Sequence, residues 1–118
     1  MSGLQDPVAL VVATLNAAGL AAHGRPPVPR PAEFVTVHRV GGMRMNQALE
    51  HARVAVTFWA ETGARAAQLA VAGRTALYGM TALDGVNRVA EALVFDVPDP
   101  ETGLPRVRVD IDLHLTAN

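Results

Sequence analysis

From Arg106 to Leu115 apolar and polar residues alternate without a break. Val107, Val109, Ile111, Leu113 and Leu115 fall on one side, and Arg106, Arg108, Asp110, Asp112 and His114 on the other. A strand places successive side chains on opposite faces, so this is a strand with one face in a core and one face charged. A slip of one residue would turn the whole apolar row into water, which makes the register compulsory. Such a strand belongs in an antiparallel sheet covered on one side only. With 118 residues, half of them apolar, residues 1–118 read as a single globular domain.

The rest of the chain supplies the cover and the other strands. Asp6-Pro7 is a helix start, a capping carboxylate followed by proline at the first helical position. Val8, Val11, Val12 and Leu15 continue at helical spacing, and Gly19 marks the end, giving a helix from Pro7 to about Ala18. Residues at about 20–33 form a proline-rich loop or arm, with four prolines in 24–32. It is either a solvated connector or an arm lying on a neighbour. Phe34–Val40 is a strand, with a turn expected at Gly41-Gly42 and a loop or short helical turn over 43–51. Arg53–Trp59 alternates, with Val54, Val56 and Phe58 against Arg53, Ala55, Thr57 and Trp59. Thr62 caps a long helix to about Ala82, whose buried stripe is Ala66, Leu69, Ala70, Gly73, Leu77 and Met80. Val86–Val97 and the final strand make a hairpin around the turn-rich loop Pro98–Pro105. The order is α-β-β-α-β-β. The expected fold is α+β: a four-stranded, mainly antiparallel sheet with two helices packed on one face.

Chemistry is sparse. There is no cysteine and no lysine, and Ser2 is the only serine, which removes thiol, Schiff-base, Walker-lysine and serine-triad mechanisms. Ten arginines face eleven acids, a net charge of -1, which is not the footprint of a dedicated nucleic-acid binder. The apolar run Val8–Leu15 is too short for the ~20 residues of a membrane helix. Gln5 and Asp6 stand where a signal peptide would carry positive charge. The expectation is a soluble chain made in the cytoplasm, acting without cofactor or catalytic metal. Asp110-x-Asp112-x-His114 puts metal-type ligands on one strand face, but Arg106 and Arg108 share that face and compete for the carboxylates.

What remains is a surface for partners. Arg25, Arg30, Arg39, Arg44 and Arg53 fall in a stretch with only two acids, Glu33 and Glu50. His38 and His51 lie in the same stretch and read as ordinary polar residues. Trp59, the only tryptophan, is either rim packing or an interface anchor. The interface candidates are Arg25, Arg30, Arg39, Trp59, Arg106, Arg108, Asp110, Asp112 and His114. In an assembly, the charged row of the last strand is expected to make ion pairs with a neighbouring subunit and fix its register.

The stretches Val11–Leu15, Arg30–Val37 with Gly41-Gly42, Val54–Ala60, the alanine-rich Ala64–Leu77 and Pro98–Arg106 cover most of the chain. In order and spacing they resemble the tail terminator (tail completion) proteins of long-tailed phages, above all those of actinobacteriophages. The resemblance implies a virion protein at the head-proximal end of the tail, made in the host bacterial cytoplasm. It implies a ring, usually a hexamer, that caps the tail tube, stops its polymerisation and meets the head-side connector. Its partners would be copies of itself, the tail tube protein, the connector and DNA passing through the lumen, with no membrane. The family has no active-site residues to carry over. Two other readings stand beside it: a head-closure or neck connector protein, and a small ligand-binding or enzymatic α+β domain.

Overall fold

The structure is a computed structural model that describes residues 4–117. The first helix, α1, spans Pro7–Ala17, and the Asp6 carboxylate accepts hydrogen bonds from the N–H groups of Val8 and Ala9. It ends where Gly19 takes a positive φ of 86°. There the Leu20 N–H bonds back to the Leu15 carbonyl and the Gly19 N–H to that of Asn16, both at 3.0 Å. This paired closure ties off the last turn and needs a residue without a Cβ at position 19.

The next element is one the sequence did not announce. Ala22–His23 forms a two-residue strand, β1, parallel to β2 (Phe34–Arg44) and in register with Val35 and Thr36. The Asn16 side chain holds it: its oxygen accepts from the Ala22 N–H at 2.9 Å, and its amide donates to the Ala22 carbonyl at 3.3 Å. That amide does the work of a further strand for one residue of an otherwise bare edge.

β2 continues through Gly41-Gly42 instead of turning there. The ladder with β3 (Leu49–Trp59) shifts register between Arg39 and Gly41, so Val40 is the extra residue of a bulge. Gly42 has φ 119°, and a Cβ there would lie 2.2 Å from the His51 carbonyl oxygen. The glycines therefore serve the bulge, and the reversal falls at 45–48, where Asn46 Oδ1 accepts from the N–H groups of Ala48 and Leu49.

Helix α2 spans Gly63–Tyr78 and runs into a 3-10 turn, Gly79–Ala82. Thr62 caps it by accepting from the Arg65 N–H. β4 (Val86–Asp96) and β5 (Arg106–Thr116) form the second hairpin. β5 pairs on its other side with β3 along eleven residues, so the sheet order is β1-β2-β3-β5-β4. The fold is α+β with two helices and a five-stranded mixed sheet, the short β1 being the strand added to the four expected.

Both helices lie on the face that carries Val54, Val56, Phe58, Val107, Val109 and Ile111, and all these join one core with Val11, Leu15 and the small-residue stripe of α2. Each fully buried Val, Leu or Phe contributes about 1.5–3 kcal/mol. The stripe therefore packs on the sheet of its own chain. Gly73 is its closest point: a Cβ there would stand 2.2 Å from the Phe58 ring. On the rim, Arg74 and the Tyr78 hydroxyl both bond the Glu91 carboxylate, tying α2 to β4. Among the described residues, no helix is long and apolar enough to cross a membrane.

Candidate functional site

The face of the sheet away from the helices carries most of the interface candidates. Its geometry follows from the β3–β5 ladder, which sets Trp59 opposite Arg106, Thr57 opposite Arg108, Arg53 opposite Asp112 and His51 opposite His114.

At one end stands Trp59. Its ring stacks on Phe34 with centroids 5.3 Å apart, and its Nε1 donates to the Thr36 hydroxyl at 3.1 Å. The guanidinium groups of Arg30 and Arg106 lie 5.4 and 5.2 Å from the ring centroid. The chain's own residues thus surround Trp59, which is 6% exposed. Arg30 comes from the proline-rich segment, so part of that segment lies against the protein's own sheet. Beside it, Gly24, Arg25 and Pro26 flank a cavity of about 380 Å³.

In the middle, Arg108 donates to Asp110 through Nε and Nη2, at 2.7 and 3.1 Å. Arg108 also covers the Phe95 ring at 5.1 Å. Asp110 is 4% exposed, a buried carboxylate held by one guanidinium two residues away.

At the far end, Arg53 makes a two-pronged pair with Asp112, at 2.8 and 3.1 Å. His51 stacks on His114 with centroids 4.7 Å apart. The His51 Nε2 is buried 3.2 Å from Asp112 Oδ1, close enough for an ion pair but without hydrogen-bond geometry. The Arg53 guanidinium holds the Asp112 carboxyl below the usual carboxylate range, against the opposing pull of burial and with help from His51.

The structure thus brings together Arg25, Arg30, Trp59 and Arg106 at one end, Arg108 with Asp110 in the middle, and Asp112 with His114 at the far end. Arg39 is not among them. It lies in register with Val54 on the helix-covered side, where it pairs with Glu50 at 2.8 Å. The charged row of β5, expected to meet a neighbouring subunit, has partners inside its own chain. Arg108, Asp110 and Asp112 are already engaged within the chain, and Arg106 donates to the Val97 carbonyl and stands 3.9 Å from Asp99. Asp110 and Asp112 each face a guanidinium. Among the described residues, no group of three or more His, Cys, Asp or Glu is arranged to hold a metal ion.

Not legible in the sequence were Arg53 and His51 as partners of β5, Phe95 as the ring under Arg108, and Phe34 as the ring stacked on Trp59. Period two was a sufficient signal for their face, but which strand lies beside β5 is a non-local fact. The unpartnered features are elsewhere. Among the described residues, no strand pairs with the outer edge of β4, or with that of β2 beyond Thr36. Leu93, Val94 and Val97 are each about half exposed at the β4 edge, and Met43, Met45 and Leu49 are exposed at the β2–β3 tip.

Fold and face together define a two-layer α+β protein with one helix-covered sheet face and one face closed by its own ion pairs. Comparison with protein-family models and with curated proteins returned no match for the chain.

Proposed function

We propose that the chain is a tail terminator of a long-tailed phage: six copies close into a ring that caps the tail tube, stops its growth and presents a surface to the head-side connector. The observation that supports this most is the pair of dissimilar open edges on opposite sides of one sheet. A contact between the β4 edge of one copy and the free stretch of β2 in the next is head-to-tail, and head-to-tail contacts close into rings when the rotation allows. Two bulges interrupt β4, between Val86 and Arg88 and between Glu91 and Leu93. They divide it into two regular stretches, Arg88–Glu91 and Leu93–Asp96, of which the second carries exposed Leu93 and Val94. DNA passing a lumen must not stick, and phosphate binding grows with every free cation. A net charge of -1, with Arg53 and Arg108 of the outer face each paired to an aspartate of the same chain, suits such a passage.

The reading is tested by adding the purified chain to polymerising tail tube protein and measuring tube length by electron microscopy. Short tubes bearing a ring at one end are expected, and tubes of unchanged length overturn it.

A further inference from the structure

The cavity beside Trp59 lies between the Gly24–Pro26 strap and the outer face of the sheet, and its volume of about 380 Å³ falls at the small end of ligand sites. Its polar lining is arginine, histidine and threonine, with no carboxylate; its apolar walls include Pro26, Phe95 and Val97. The charges there are unequal in kind. Arg108 spends two donors on Asp110, and Arg106 is turned to the Val97 carbonyl and Asp99. Arg25 is exposed and makes no ion pair among the described residues. The cavity therefore holds one uncompensated positive charge, on a planar fork suited to a carboxylate.

That ledger selects among occupants. A nucleic-acid strand brings a charge at every nucleotide and calls for a row of free cations, and its bases call for an open aromatic face. Of the three arginines that line the cavity only Arg25 is free, and Trp59 is already packed by Phe34 and flanked by the guanidinium groups of Arg30 and Arg106. A single carboxylate on an apolar body fits both the charge and the walls. We propose that this cavity receives the side-chain carboxylate of an Asp or Glu on an apolar segment of a partner polypeptide, with Arg25 as its ion-pair partner. The site goes beyond the ring reading and is complete within one copy of the chain.

Trp59, the one tryptophan, reports on the cavity it lines. The full chain is titrated with the acetylated, amidated peptide Pro-Leu-Glu-Leu-Pro, with the same peptide carrying Gln for Glu, with hexanoate and with an oligothymidylate, following fluorescence. A saturable change with the Glu peptide, and at least tenfold weaker response to the Gln peptide, is expected. Arg25→Gln should weaken Glu-peptide binding by about tenfold or more, the worth of a charge-assisted hydrogen bond. Arg88→Gln, an exposed arginine at the far end of β4, should leave it unchanged. Equal binding of the two peptides, an unaltered affinity in Arg25→Gln, or no saturation by about 10 mM overturns the proposal. Tighter binding of hexanoate or of the oligonucleotide than of the Glu peptide overturns the choice of a polypeptide partner. None of these readouts depends on oligomer mass, so the ring reading stands or falls separately.

Discussion

Arg53 and Asp112 face each other across the β3–β5 ladder and join through two hydrogen bonds, 2.8 and 3.1 Å long. The pair couples residues 59 positions apart and, with Arg108–Asp110, neutralises most of the charged row inside the chain. Substitutions in that row should therefore act first on folding, and under the proposed ring those that act first on assembly should lie at the sheet edge.

Arg108→Glu is the clearest case. An exposed charge reversal usually costs no more than about 0.5 kcal/mol. Here it removes the only guanidinium bonded to the buried Asp110 and sets a second carboxylate beside it. A loss of about 1–3 kcal/mol is expected in urea unfolding. Asp110→Asn in the Arg108→Glu background should recover part of it. A loss below about 0.5 kcal/mol would show that Arg108 does not hold Asp110 in solution.

Gly73→Ala separates packing from propensity. In an exposed helix the change would stabilise by about 1 kcal/mol. At Gly73 the new methyl would overlap the Phe58 ring, so a net loss of about 1–3 kcal/mol is expected. Phe58→Leu in the Gly73→Ala background should restore part of that loss. A stabilised Gly73→Ala variant would contradict the close approach of α2 to the sheet.

Acid should weaken the fold chiefly through two partly buried carboxylates. Arg74 holds Glu91 below its ordinary range, and Arg53 does the same for Asp112. A carboxylate depressed in the folded state stabilises above its unfolded pKa, and that gain is lost as pH falls through the folded value. Unfolded values are about 4.3 for Glu and 3.9 for Asp, so Tm should hold steady above about pH 5 and fall below about pH 4. Arg74→Gln should lower Tm at neutral pH and make the acid slope shallower. An identical slope in the variant would remove Glu91 from the account.

Leu93→Lys probes the open edge. Leu93 is 53% exposed, so the monomer should lose no more than about 0.5 kcal/mol. A charge on that edge obstructs pairing with another strand, and sedimentation should show the assembly lost. Unchanged assembly in a folded Leu93→Lys variant would move the contact away from β4.

Much of this was legible along the chain because it is local. Asp6, Thr62 and Gly19 act within a turn of their own positions, and the β5 alternation fixed its two faces by pleat alone. The Gly41-Gly42 pair misled, because glycines that permit a turn also permit a bulge, and only the ladder with Ala52 and His51 distinguishes them. β1 was hidden for a related reason. Two residues carry no period, and what holds them is an amide reaching back from Asn16. At the candidate site the sequence placed the charged row on one face but not its partners. Those depend on β5 lying beside β3, a pairing between segments about fifty residues apart.

Native mass spectrometry of the purified chain, alone and with tail tube protein, tests the central claim most directly. A closed ring predicts a species of six chains of 12.4 kDa each, formed alone or on the tube end. The Leu93→Lys variant should then run as the monomer under both conditions. A wild-type chain that stays a monomer or a dimer in the presence of tail tube protein would contradict the account.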